Sequence, residues 1–409
     1  MSMNQTPSGE RVHIGIFGRR NAGKSSLINA LTNQQVAIVS DVKGTTTDPV
    51  KKAMELLPLG PVLLIDTPGL DDEGELGSRR IDKALQMLRQ SDIVLVVLAA
   101  DAAVDAMEQR LIAEAKERDL PYLVVLNKTD LFSTEAMEQK RTEISAELMV
   151  DREKIFCVSA KERKGMHEVK EYMGHMMPET TTQPLIRDLL APNDLVVLVV
   201  PIDSAAPKGR LILPQQQVIR DTIEVGAIPV VTRETELKVT LSSLARKPRL
   251  VVTDSQAFAQ VAKDTPKDIP LTSFSILMAR YKGDLATQIS GAAAIEQLQD
   301  GDVVLIAEGC THHRQCDDIG TVKMPRWITE YTGKKIEFVF TSGVEFPQDL
   351  SPYAMVVHCG GCTLNPKEMR YRIAHGAKEK VPITNYGVLI AYMHGILPRV
   401  TEPLFCEKE

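Results

Sequence analysis

The sequence predicts an α/β protein, with a large N-terminal domain followed by two further, smaller α/β domains. Three observations predict it. Apolar, β-branched runs alternate with helical stretches from residue 12 to about 176. A glycine-rich loop lies directly between the first run and the first helical stretch. The same alternation resumes in two shorter blocks beyond Met177–Pro184, a linker-like segment rich in Pro and Thr.

In the first domain, taken as 1–178, the strand runs are Val12–Phe17, Val62–Asp66, Asp92–Leu98, Tyr122–Asn127 and Ile155–Ser159. Continuous apolar runs of this length suit parallel strands covered on both faces, so the domain is expected to be doubly wound. In the second, taken as 185–267, Leu195–Pro201, Ile228–Thr232 and Arg249–Thr253 read as strands, with Gln215–Glu224 as an intervening helix. So small a sheet with an apolar edge is often completed by a partner, and this block is expected to form a homodimer. In the third, taken as 268–409, the strand runs are Val303–Ala307, Ile336–Phe340 and Ala354–Val357.

Composition narrows the function classes. The chain has 409 residues, 44% of them hydrophobic and 25% charged, which is ordinary globular usage. A net charge of -6 without a dense Lys/Arg run argues against nucleic acid as a standing partner. The N-terminus lacks the apolar stretch of a signal peptide. The longest apolar runs, such as Ile93–Ala100 and Leu195–Ile202, are too short to span a bilayer. A cytoplasmic protein with no membrane partner is expected.

Four motifs in order define a nucleotide site. Gly18-Arg19-Arg20-Asn21-Ala22-Gly23-Lys24-Ser25 matches G-x-x-x-x-G-K-[ST] and stands between a strand and a helix, the context the motif requires. Its glycines let backbone N–H groups wrap phosphates at a helix N-terminus. Gly18, Asn21, Ala22, Gly23, Lys24, Ser25 and Ser26 are therefore the phosphate-binding candidates, with Lys24 on the β- and γ-phosphates and Ser25 on Mg²⁺. Asp66-Thr67-Pro68-Gly69 follows the next run, placing Asp66 by the metal's water shell and Gly69 by the γ-phosphate. Asn127-Lys128-Thr129-Asp130 supplies a carboxylate that can accept two N–H bonds from a guanine edge, a pairing that adenine does not offer. Ser159-Ala160-Lys161 presents backbone N–H groups to the guanine oxygen. Together these motifs predict a P-loop GTPase domain binding GTP and GDP with Mg²⁺.

Gly44-Thr45-Thr46-Thr47-Asp48 lies between the first helix and the second strand run. It resembles the first switch of the Era and TrmE group of GTPases. By that resemblance Thr46 is the second Mg²⁺ ligand, and Lys24, Thr46, Asp66 and Gly69 form the catalytic set. Ras-like enzymes place a water-orienting Gln directly after the Gly that corresponds to Gly69, where this chain has Leu70, so hydrolysis is expected to be slow. Asn21 occupies the P-loop position that holds K⁺ in TrmE-like GTPases, and K⁺ is expected to stimulate the reaction. A loop-capping role is the alternative for Asn21.

Five of the six cysteines fall in the last quarter of the chain. Cys310-Thr311-His312 follows the run Val303–Ala307, and His358-Cys359-Gly360-Gly361-Cys362 follows Ala354–Val357. If those strands are parallel neighbours, both sets converge on one sheet edge, where open α/β sheets place ligands. Three thiolates, Cys310, Cys359 and Cys362, with His312 and His358 as ligands or supporting groups, suit an iron–sulfur centre, a structural zinc or plain reduced thiols. Cys316 reads as a neighbour, Cys157 as a core thiol and Cys406 as unrelated to the set.

A TrmE-like GTPase followed by Cys-x-His, and then by His-Cys-x-x-Cys after 45 residues, resembles the FeFe-hydrogenase maturation GTPases of the HydF family along the whole chain. The stretches Ala191-Pro192-Asn193-Asp194-Leu195 and Leu213-Pro214-Gln215-Gln216 share in the resemblance. It implies a 4Fe–4S cluster on Cys310, Cys359 and Cys362 with one iron left to an exchangeable ligand. It also implies a transient di-iron precursor as cargo, apo-hydrogenase as recipient and two radical-SAM maturases as upstream partners. Hydrolysis of GTP would gate partner exchange. Two competing readings remain open here: an RNA-modification or ribosome-assembly GTPase with a zinc-stabilised C-terminal domain, and a redox switch in which Cys359 and Cys362 form a reversible disulfide.

Overall fold

Strands β1 (Val12–Phe17), β2 (Val50–Leu56), β3 (Gly60–Asp66), β4 (Ile93–Ala99), β5 (Tyr122–Asn127) and β6 (Ile155–Cys157) form one sheet in the order β2-β3-β1-β4-β5-β6. The computed structural model describes residues 6–32, 50–67, 75–176, 183–202, 211–309, 318–343 and 345–405. The described chain divides into two compact units, Met1–Thr181 and Thr182–Glu409.

In the first unit, successive residues of the central strands enter opposite cores. Ile14, Ile16, Leu95 and Val97 pack with the helix Lys24–Thr32 on one face. Phe17, Val94, Val96 and Leu98 pack with the helix Ala106–Glu117 on the other. The expected doubly wound sheet follows from that two-residue alternation. Every pairing is parallel except β2 with β3, which is antiparallel. The edge strand β2 was not expected from its sequence. Chain order reverses around β1, so the loop after its carboxyl end, residues 18–23, occupies the position where such sheets bind ligands.

The second unit holds two parallel four-stranded sheets. Strands β7 (Leu195–Val199), β8 (Ile228–Thr232), β9 (Leu250–Thr253) and β10 (Leu271–Ser273) are ordered β10-β9-β7-β8. Strands β11 (Val303–Ala307), β12 (Glu337–Thr341), β13 (Met355–His358) and β14 (Ile383–Asn385) are ordered β12-β11-β13-β14. The middle sheet takes β10 from beyond residue 267, where the second block was expected to end. One continuous core joins the sheets: Val197 and Val252 belong to the same buried cluster as Val304, Ile306 and Val357. The helix Phe274–Lys282 lies at its centre, packed against helix Leu213–Glu224 from the middle block and helices Pro366–Lys378 and Tyr386–Met393 from the last. Its sequence FSILMARYK is apolar nearly all round, and Phe274, Ile276, Leu277, Met278 and Ala279 are all buried, as such a helix must be.

No described helix is long and apolar enough to cross a membrane. Thr46, Gly69, Leu70, Cys310, His312, Cys316 and Cys406 lie outside the described residues.

Because Leu277 is fully buried in the core shared by both sheets, Leu277→Ala is expected to cost about 2–5 kcal/mol. Hydrogen exchange should show protection falling together in β7 and β11. A loss confined to one sheet would contradict a shared core.

Candidate functional site

The nucleotide loop is built by tight backbone turns and one buried amide. Asn127 ends β5, is 3% exposed, and uses both ends of its side chain. Its Nδ2 donates to the carbonyl of Ala22 at 3.0 Å, and its Oδ1 accepts from the N–H of Ala160 at 3.0 Å. It therefore ties the first motif to the fourth. Gly23 has φ +91°, and a Cβ there would lie 2.2 Å from Asn127 Nδ2, so this approach requires glycine. Arg19 anchors the loop from outside, with its Nε 3.3 Å from both Asp105 and Glu108. Those two residues form the capping box of the helix Ala106–Glu117.

Lys24, buried at the start of its helix, donates from Nζ to the carbonyls of Gly18 and Arg19 at 2.8 Å each. Its ammonium is thereby held over the loop. Ser25 Oγ donates to Asp66 Oδ2 at 3.2 Å, bringing the first and second motifs together. Asp66 Oδ1 is buried and has no hydrogen-bond partner among the described residues. Burial pushes the Asp66 carboxyl above its usual range, while Lys24 and the Ser25 hydroxyl pull it down. A Mg²⁺ water shell would satisfy that oxygen and favour the carboxylate, so the residues present fit the metal. Asn21 is exposed in the left-handed region, at φ 62°. Ser26, the following residue of the helix, is exposed.

The base-binding motifs meet beyond the carboxyl ends of β5 and β6. Ser159, fully buried, donates from Oγ to Asp130 Oδ1 at 2.7 Å, and this bond leads the causes that hold the Asp130 carboxyl below its usual range. Lys128 stands in the left-handed region at φ 71°, and its Nζ lies 3.1 and 3.0 Å from the two carboxylate oxygens of Asp101. Lys161 Nζ lies 3.9 Å from Asp130 Oδ2. Of the predicted nucleotide residues, Asn127 and Ser159 thus hold the loops together, while Asp130 is kept ionised.

The cysteine site stands at the carboxyl ends of β11 and β13. These strands are parallel neighbours, with Ala307 opposite His358. The N–H of Cys359 donates to Ala307 O at 2.9 Å. Cys359 Sγ accepts from the N–H of Gly309 at 3.0 Å and from that of Gly361 at 3.3 Å. Gly309 immediately precedes Cys310 in the chain. Gly361 has φ +59°, and a Cβ there would meet Met369 Sδ at 2.5 Å, so the Cys-x-x-Cys turn needs glycine at this point. Cys359 and Cys362 are free and half-buried. Burial, and then the neighbouring Cys362, push the Cys359 thiol up to about 12, and burial also raises that of Cys362. A coordinating metal inverts this and deprotonates both.

His358 is 1% exposed and engaged at both ring nitrogens. Arginine can only donate, so the 3.0 Å contact between Arg372 Nη1 and His358 Nε2 makes Nε2 the acceptor and leaves the proton on Nδ1. Nδ1 then donates to the Cys359 carbonyl at 2.8 Å. Burial, and then Arg372, lower the His358 pKa to about 3. In this arrangement His358 supports the loop as a neutral hydrogen-bonding group. Arg372 is itself fully buried, bonded by Nε to Glu368 Oε1 at 2.8 Å and by Nη2 to Gly343 O at 3.0 Å. Lys282, 0% exposed, donates to the carbonyls of Gly361, Cys362 and Leu364. Sequence reasoning missed both cations. For Lys282 the one signal was a charged residue on an otherwise apolar helix face, whereas Arg372 shares its buried face with Glu368.

Among the described residues no group of three His, Cys, Asp or Glu side chains gathers as metal ligands. Cys310 and His312, the remaining predicted ligands, lie outside those residues. The donor set fits an iron–sulfur cluster: two thiols on one glycine turn, backbone N–H groups aimed at sulfur, and a third cysteine next in the chain after Gly309.

Comparison with known proteins matches three family models along the chain. A 50S ribosome-binding GTPase model covers residues 13–128, a hydrogen maturase F dimerization domain covers 185–283, and a hydrogen maturase F tetramerization domain covers 286–403. The tRNA modification GTPase MnmE of Aquifex aeolicus is 34% identical over 163 residues, 40% of this chain and 34% of that protein. GTPase Der of Wolinella succinogenes is 32% identical over 172 residues, 41% of this chain and 36% of that protein. The matched region thus spans about a third of the length of these curated relatives. A crystal structure of Era from Aquifex aeolicus is 18% identical with a TM-score of 0.37, covering 61% of this chain and 97% of that one. The chain carries a P-loop GTPase domain.

Replacing Asn127 with Ala leaves the Ala22 carbonyl and the Ala160 N–H without their partner, a loss of about 2 kcal/mol. Urea unfolding of the first unit should report it, and an unchanged midpoint would show that the tie does not matter.

Proposed function

We propose that this chain, which belongs to the hydrogen maturase F family through the two adjoining domains at 185–283 and 286–403, is a GTP-hydrolysing scaffold and carrier. It holds a 4Fe–4S cluster, receives the di-iron precursor of the FeFe-hydrogenase active site and passes it to the apo-hydrogenase. The observation that carries this reading is the bond from the Gly309 N–H to Cys359 Sγ, which brings the end of β11 against the Cys-x-x-Cys turn.

In the GTPase domain, Lys24 places positive charge where the β- and γ-phosphates lie, and the loop N–H groups wrap them. Ser25 and Thr46 would hold Mg²⁺, with Asp66 binding its water shell. The orphaned Asp66 Oδ1 supports this. Asp130, kept ionised by Ser159, selects guanine. Gly69 offers its N–H to the γ-phosphate. Leu70 cannot orient water, so hydrolysis is slow, and Asn21 supplies an oxygen for K⁺.

In the last block, Cys310, Cys359 and Cys362 would hold the cluster, and His358 is a supporting group. A cluster held by three protein thiolates offers one iron to an exchangeable ligand. The di-iron precursor, delivered by two radical-SAM maturases, is the cargo. The GTP state gates partner exchange and does not build the cluster. Self-association follows from the two matched domains. For the homodimer we assign the edge strand β8, whose Ile228 and Val231 are 42% and 48% exposed. A cytoplasmic location fits reduced thiols.

The test is anaerobic reconstitution with iron and sulfide. About four irons per chain are expected for a cubane, whereas a colourless protein with one zinc would favour the zinc-stabilised alternative. Cys359→Ser should lose the iron while GTP hydrolysis persists within about twofold, since the two sites lie in separate compact units. Simultaneous loss of both activities would contradict that separation. Hydrolysis in K⁺ should exceed that in Na⁺ several-fold, and equal rates would remove Asn21 from the mechanism.

A further inference from the structure

We propose that Lys282 is the positioning residue of the cysteine loop, fixing its backbone and supplying the fixed positive charge beside its sulfurs. This rests on the reading of Cys359 and Cys362 as cluster ligands, but the geometry stands by itself. Lys282 is the last residue of the helix Phe274–Lys282, and its side chain is completely buried. An ammonium has three protons to donate. Its Nζ lies 3.2 Å from Gly361 O, 2.8 Å from Cys362 O and 2.7 Å from Leu364 O. Three carbonyls within four residues of one turn thus point at one nitrogen.

That convergence has a cause and a consequence. Gly361 O also accepts from the Leu364 N–H at 3.0 Å, so Lys282 grips the carbonyl that closes the turn, and the Gly361 N–H reaches Cys359 Sγ at 3.3 Å. Lys282 therefore holds the carbonyls of a turn whose Gly361 N–H is directed at the sulfur of Cys359, with its ammonium 2.8 Å from the carbonyl of Cys362 itself. Positive charge near a cluster of thiolate-bound iron favours its reduced form.

The position of the helix adds a link. It begins at Ser273, the last residue of β10 in the middle sheet, and its own N-cap. It ends on the cysteine loop of the last sheet. One nine-residue helix thus runs from the block matched by the dimerization domain to the candidate cluster. The grip on the loop is transmitted from that block and not from the cysteine-bearing sheet alone.

The test uses the full chain with Lys282→Met, which keeps length and burial but removes the charge and the three bonds, and Lys282→Arg, which keeps the charge. In the protein without metal, hydrogen exchange across 359–364 should quicken on the order of tenfold in Lys282→Met, with β11 and β13 still protected. In the reconstituted protein, the ratio of reduced to oxidised cluster at a fixed potential should fall about tenfold in Lys282→Met, equivalent to about 59 mV for one electron. Lys282→Arg should stay near the wild type in that ratio. Wild-type exchange and potential in Lys282→Met would overturn the proposal. So would equal shifts in both variants, which assign the effect to packing, or loss of protection throughout the last sheet in both, which makes Lys282 a general core residue. If the wild type takes up no cluster, the cluster reading fails, while the exchange measurement still decides whether Lys282 holds the loop.

Discussion

Between β11 and β13 the N–H of Cys359 donates to Ala307 O at 2.9 Å, and the N–H of Gly309 donates to Cys359 Sγ at 3.0 Å. The first bond continues the parallel ladder, and the second turns its end into a sulfur site. Parallel strands end at the same edge, so the two segments that leave them, starting with Glu308 and with Cys359, must begin side by side. The glycine turn, the Lys282 contacts and the His358–Arg372 pair are all arranged around that starting point. A shift of register by one residue would point Cys359 to the opposite face and undo each of them.

The GTPase domain solves the same problem with different groups. Its ligand loops leave the carboxyl ends of β1, β3, β5 and β6, and Asn127 joins the loop after β1 to the one after β6. In both units a fully engaged buried group holds loops whose outward atoms remain available for ligand. Asn127 is neutral, and the buried charge over the nucleotide loop comes from Lys24. Lys282 and Arg372 are cationic, which suits a set of thiolates.

Much of this was readable before any coordinates. Long apolar runs specified β1, β4, β5, β7 and β11, because strands buried on both faces need no alternation to be recognised. The nucleotide motifs lay where strands end, and the convergence of Cys359 with the end of β11 followed from the parallel arrangement considered for those strands. Other parts were hidden for physical reasons. Strand β2, with Lys51 and Lys52, lies on an edge and lacks an apolar run. Strands β10 and β14 have three residues each, too few for a period. The shared core was invisible because a helix such as Phe274–Lys282 declares that it is buried but not between which layers. Lys282 and Arg372 are recruited by loops some 80 and 14 residues away, a relation that composition does not encode.

The central claim is that one centre is assembled from the ends of β11 and β13. Electron paramagnetic resonance of the dithionite-reduced, anaerobically reconstituted full chain tests it most directly, comparing the wild type with Cys310→Ser. The wild type should give the signal of a reduced cubane, and Cys310→Ser should lose it although Cys359 and Cys362 are intact. A wild-type signal in Cys310→Ser would mean that the centre does not draw on the strand end that Gly309 brings to Cys359, and the account would be wrong.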